Sequence, residues 1–191
     1  MSRRIEQLEN SLLPNTRISG NYSRKEQDMI RSYVLLVHAE IESFFEERAK
    51  SKVESEFIKW KNKRKRSNTL LNLVAFLGAE IDWSKKKRTD KDQIQFRLNV
   101  LVTHFQNGVV QKNNGIKPDN LFKLLLPTGL EVADFDPTWL IEMENFGKDR
   151  GTIAHQPLSV QNTIDKVTEV DRIKNRILPE IAILDRLLSN K

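Results

Sequence analysis

The chain has 191 residues, 38% hydrophobic and 30% charged, with a formal net charge of +6 and no cysteine. That length supports one sizeable core and predicts a single domain over 1–191. The lack of cysteine excludes a disulfide framework, a thiolate metal site and a cysteine nucleophile together, and no apolar run approaches the length that spans a bilayer.

The opening "MSRRIEQLENSLLP" is charged and polar, which leads us to expect a soluble, cytoplasmic protein. Ile5, Leu8 and Leu12 suggest a short, peripheral first helix, with 1–22 leading into the domain. At "SRKE" the Ser23 hydroxyl can bond an amide three residues on while Glu26 reaches back, a capping box. Met29, Ile30, Tyr33, Val34, Val37, Ile41, Phe44 and Phe45 follow at three- and four-residue steps, predicting a core helix over 24–50. A second stripe, Leu70, Leu71, Leu73, Val74 and Leu77, stops near Gly78; a third, Ile94, Leu98, Leu101, Val102, Phe105 and Val109, stops near "NNG" at 113–115. A short helix begins near Asp119, and another is capped by Asp136 with Pro137 in its first turn. From Ser159 to Leu188 the pattern is helical again, with Pro179 positioned to kink it. No stretch alternates like a strand and nothing repeats, so the fold class is an all-α bundle of five to seven helices.

The positive charge is clustered. "KWKNKRKR" at 59–66 and "KKKR" at 85–88 mark Lys61, Lys63, Arg64, Lys65, Arg66, Lys85, Lys86, Lys87 and Arg88 as candidate RNA-binding residues, because each cation that neutralises a phosphate releases condensed counterions. The alternative is a pair of solvated surface loops.

Histidine chemistry must use His38, His104 or His155, and each has an arginine five to seven positions upstream: Arg31, Arg97 and Arg150. A bare Arg-to-His spacing therefore discriminates nothing. Context does: His38 and His104 lie on the flanks of apolar helical stripes and read as structural, whereas Arg150 and His155 sit where Gly147, Gly151 and Pro157 suggest a break. Glu42, one turn after His38, makes a pair able in principle to hold a metal, but no second pair has matching spacing, so no metal site and no cofactor are expected. "GxxxxGK" is absent, which removes nucleotide hydrolysis by that route.

The segments "YVLLVHAEIESFFEE" and "NNGIKPDNLFKLLLPTGLEVADFDPTWLIEMENFGKDRGTIAH" resemble the HEPN superfamily, the higher eukaryotes and prokaryotes nucleotide-binding domains, over roughly residues 25–185. "RGTIAH" with "NNGIK" about 35 residues earlier is closest to the RiboL-PSP-HEPN branch. The resemblance implies a metal-independent endoribonuclease of toxin, antiphage or stress-response systems. It also implies a homodimer in which two Arg-His motifs face each other, with RNA as substrate and an antitoxin or sensor protein as a further partner. The matching residues are Arg150 and His155; many family members carry Asn, Asp or His directly after the arginine, where this chain has Gly151.

The pair fits that chemistry on its own terms. Metal-free RNA cleavage needs a group that takes or gives a proton near neutral pH, which histidine does, and fixed positive charge on the developing phosphorane, which an arginine fork supplies. Asp149 is positioned in sequence to orient Arg150, Thr152 to add a hydrogen bond, and Glu42 to support the site; Asp149 and Thr152 read equally as turn residues. A catalytically inactive RNA- or protein-binding module is the competing function.

Overall fold

The structure is a computed structural model that describes residues 1–17, 20–85, 93–156 and 162–191. Among the described residues there is no strand, and seven helices form an all-α, HEPN-like fold, the upper end of the expected range. They are α1 (Ser2–Leu12), α2 (Arg24–Lys63), α3 (Asn68–Leu77), α4 (Ile94–His104, continuing as a π-helical turn Phe105–Val110), α5 (Pro118–Leu125) and α6 (Pro137–His155). The last, α7, runs through Lys166–Asp171, a π-helical turn Arg172–Ile177 and Leu178–Asn190. Among the described residues no helix is long and apolar enough to cross a membrane.

The chain forms two compact units, each with its own core. The first holds Met1–Phe44, Gly115–Pro118 and Asp136–Ile183; the second holds Phe45–Asn114, Asp119–Phe135 and Leu184–Lys191. Ile5, Leu8, Ile30, Val37, Ile41, Met143, Phe146, Ile173 and Ile177 are buried in the first. Phe45, Val53, Leu73, Leu101, Phe105 and Leu125 are buried in the second. Burial of each such side chain contributes about 1.5–3 kcal/mol.

Local signals place the helix starts. Ser23 and Glu26 close the capping box, with the Ser23 amide donating to Glu26 at 2.8 Å and the Glu26 amide to Ser23 at 3.3 Å. Asp136 caps α6 by accepting from the Trp139 amide at 2.7 Å. Helix α2 runs thirteen residues past the expected end at 50, because Ala49, Val53 and Phe57 carry the buried stripe onward in four-residue steps. The α3 stripe is narrower than expected, with Leu73 buried but Leu71 67% exposed. In α4 the π turn adds a residue to the last turn, so Val110 rather than Val109 enters the core.

Helix α7 starts at Lys166 rather than Ser159, whose own position is not among the described residues. Asp165 caps it by accepting from the Thr168 amide at 2.9 Å. Just before the cap, the Gln27 side chain exchanges two hydrogen bonds with Ile164: Nε2 to its carbonyl at 3.1 Å, and its amide to Oε1 at 3.0 Å. That pairing holds the segment before the cap against α2. Pro179 lacks an amide and crowds the carbonyl of Asn175, and the π turn that contains Asn175 absorbs the conflict.

Candidate active site

Helix α6 positions the candidate pair. Its buried face runs Trp139, Met143, Phe146 and Gly147, and the next step of four from Phe146 reaches Arg150, which is half-buried at the polar end of an apolar stripe. The helix does not break at Gly151, as the sequence suggested, but continues to His155, which is exposed. Five residues of helix turn the two side chains about 140° apart. Among the described residues neither Arg150 nor His155 has an ion-pair partner.

Arg150 faces α2. There His38 is 2% exposed, its ring centroid 5.8 Å from that of Phe146, with Nδ1 3.7 Å from Glu42 Oε2. Burial, and then the charge of Arg150, push the His38 imidazole down to about 4. It is therefore neutral at pH 7 and closed to substrate, the structural role its position on the stripe implied. Glu42 also accepts a hydrogen bond from the Gly115 amide, and Gly115 holds φ at 128°, a conformation suited to glycine. The "NNGIK" segment thus reaches α2 at the carboxylate beside His38. His104 lies in the second unit, with Nε2 2.7 Å from Glu80 Oε2.

Lys117 explains Gly147. A Cβ built at Gly147 would lie 2.7 Å from Lys117 Cγ, so the missing side chain lets the lysine stem cross α6 on its way to Glu144, 4.0 Å from its Nζ. Gly151 is different: a Cβ there meets nothing within 4 Å.

The structure places Asp149 on Arg172, whose Nη1 donates to its Oδ2 at 2.7 Å, and not on Arg150 as its sequence neighbourhood suggested. Arg172 is buried, donates through Nε to Glu142 at 2.5 Å, approaches Glu169 at 3.4 Å and lies 5.2 Å from the Phe146 ring. Burial raises the Glu169 carboxyl, and its Oε2 is buried without a hydrogen-bond partner. One buried guanidinium therefore joins three acids, and Arg176 also reaches Glu142 at 3.4 Å. Sequence reasoning missed this cluster, though Glu142 and Asp149 stand seven apart on one face of α6, a spacing that could have shown it. Asp149 and exposed Thr152 line a pocket of about 280 Å³ with Asn162, Asp165, Thr168 and Glu169; its carboxylates make it a poor seat for phosphate.

Among the described residues no group of three or more His, Asp or Glu side chains is arranged to hold a metal. Of the basic residues, Lys61 and Lys63 lie in the last turn of α2, while Arg64, Lys65 and Arg66 follow it and are exposed. Arg64 takes φ of 52°, unusual for a side-chain-bearing residue, and its guanidinium sits 4.4 Å from the centre of the Trp60 ring. Lys85 ends a short 3₁₀ turn and pairs with Asp82 at 3.1 Å; Lys86, Lys87 and Arg88 lie outside the described residues.

A HEPN-type family model that matches nearly the whole of this all-α chain makes it a HEPN-type domain. The chain belongs to the RiboL-PSP-HEPN family, whose model matches residues 1–190. No curated protein and no solved structure matches it.

Proposed function

We propose that the protein is a metal-independent endoribonuclease in which Arg150 and His155 act together, one from each subunit of a homodimer. The observation that carries this reading is an arginine and a histidine at the end of α6 with no ion-pair partner among the described residues, in a HEPN-type fold. An unneutralised, half-buried guanidinium is costly unless something anionic completes it. His155 takes the proton of a 2′-OH or returns one to the leaving 5′-oxygen, and Arg150 stabilises the charge on the phosphorane. The products are a 2′,3′-cyclic phosphate and a 5′-OH, which requires RNA rather than DNA. The setting we propose is cytoplasmic, in a bacterial toxin, antiphage or stress-response system, with an antitoxin or sensor protein as partner.

The continuous α6 favours the two-subunit arrangement, because one helix cannot aim both side chains at one phosphate. Gly151 favours a second reading, a catalytically inactive RNA- or protein-binding module, since it leaves no polar side chain beside the arginine and Asp149 is spent on Arg172. Purified protein incubated with labelled RNA in EDTA decides between them. Cleavage that survives chelation and disappears in His155→Ala and Arg150→Ala supports the nuclease; no cleavage in the wild-type protein supports the module.

A further inference from the structure

A polar groove in the second unit runs along one face of α2. Arg48, Lys52, Ser55 and Lys59 stand on that face over about 16 Å of helix, and the turn carrying Lys65 and Arg66 closes its far end. Two hollows of about 240 and 340 Å³ make up the groove, sharing Lys52, Glu56, Lys59 and Ser189. We infer that this groove is a phosphodiester-binding track for single-stranded RNA, with one base stacked on the Arg64–Trp60 pair beside it.

The groove is built rather than merely basic. Glu56 is buried at its floor and accepts from Lys59 Nζ at 2.7 Å, with Lys52 Nζ at 3.6 Å. Burial alone would raise the Glu56 carboxyl, but the Lys59 hydrogen bond and the charges of Lys52 and Lys59 outweigh it and leave it lowered. One fixed carboxylate thus holds two ammonium groups at the lining. Arg48 is paired with Asp185 and Lys191 with Asp134, while among the described residues Lys65 and Arg66 have no ion-pair partner. The lining keeps an excess of about three positive charges, Lys52 and Lys59 less Glu56, plus Lys65 and Arg66.

The neighbouring face of α2 supplies planar groups. Phe57 and Trp60 lie nearly parallel, 7° apart with centroids at 6.4 Å, and Arg64 covers Trp60. The positive φ of Arg64 turns the chain sharply after α2 and sets the guanidinium on the ring. Positive charge that tracks a backbone, beside a stack that accepts any base, is the chemistry of single-stranded nucleic acid recognition. An acidic peptide would use the charge and leave the stack unexplained.

The inference rests on RNA as the ligand, but not on cleavage, so the full-length His155→Ala protein serves as the background. Its affinity for a labelled single-stranded RNA of about 12 nucleotides is measured against salt. Lys65→Gln/Arg66→Gln, both exposed, is expected to weaken binding about tenfold and to flatten the salt slope by about 1.4, two phosphates at 0.7 each. Trp60→Leu is expected to abolish the quenching of tryptophan fluorescence by RNA and to weaken RNA binding about tenfold, while leaving heparin binding unchanged. An unchanged salt slope in the double variant, or equal losses for RNA and heparin in Trp60→Leu, overturns the track. Polyglutamate binding as tight as RNA transfers the groove to an acidic protein. If the wild-type protein binds RNA this way but never cleaves it, the nuclease reading fails and the track stands; cleavage with unaltered binding in the variants does the reverse.

Discussion

Two residues near the candidate pair make separable predictions. His38 has a folded-state value of about 4 against the ordinary 6.5, so an unfolded chain takes up a proton on this ring at a pH where the folded one does not. Its contribution to stability is complete above pH 6.5 and is lost as pH falls towards 4, about 3 kcal/mol in all. Urea unfolding of the wild type across that window should show this loss superimposed on carboxylate titration, and His38→Leu should lack it; parallel curves would mean that burial does not depress the ring. Gly151 tests the backbone. It lies in continuous helix with open space where a Cβ would go, so Gly151→Ala should raise stability by about 0.5–1 kcal/mol and keep any cleavage the wild type shows. Cleavage lost on this change alone would mean that the chain must bend at Gly151 to work, against the helix described here.

Helix α6 is the element on which the site is measured, and two of its contacts fix it in place. At Gly147, alanine drives a Cβ into the root of the Lys117 side chain rather than its mobile end, and should cost about 1–3 kcal/mol in a thermal or denaturant melt. Arg172→Leu leaves half-buried Glu169 without its cation, exposed Asp149 unpaired and half-buried Glu142 with Arg176 alone, and should cost about 3 kcal/mol at pH 7, less at low pH where the acids protonate; a melt that is unchanged at pH 7 would remove the cluster from the fold's support. What the sequence made legible here was local. Caps at Ser23 and Asp136 find their partners three residues away, and the Arg150–His155 spacing needs only the helical repeat. The Arg172 cluster was not legible, because its contacts to α6 cross 23 and 30 residues, nor was the contact that sets the charge of Arg150 against His38. The end of α2 was hidden for another reason: Ala49, Val53 and Phe57 are single apolar residues in charged sequence, and only burial reveals them as a stripe. The glycines misled in the opposite direction, since Gly147 serves lysine passage and Gly151 sits in unbroken helix.

At the scale of the whole molecule, the question is how many chains make one site. If α6 stays helical to His155, Arg150 and His155 point about 140° apart, and a single chain presents either the cation or the proton carrier to a phosphate, not both. Two-fold symmetry removes the conflict. A patch around the end of α6 that contacts its own copy brings Arg150 of one subunit towards His155 of the other, twice over, and two-fold dimers are the commonest closed assembly. Mixing tests this directly, because Arg150→Ala and His155→Ala proteins are each expected to be inactive alone. A heterodimer of the two carries one shared groove with both residues intact and one with neither, so cleavage should return on mixing. Random exchange puts half the dimers in the mixed form, each with one working groove of two, so recovery should approach about a quarter of wild-type activity. Subunit exchange is verified separately with two differently tagged wild-type proteins. Exchange without recovered cleavage would sink the shared site, as would RNA cleavage by a species that light scattering shows to be monomeric, and either result would require α6 to open between Arg150 and His155 when RNA binds.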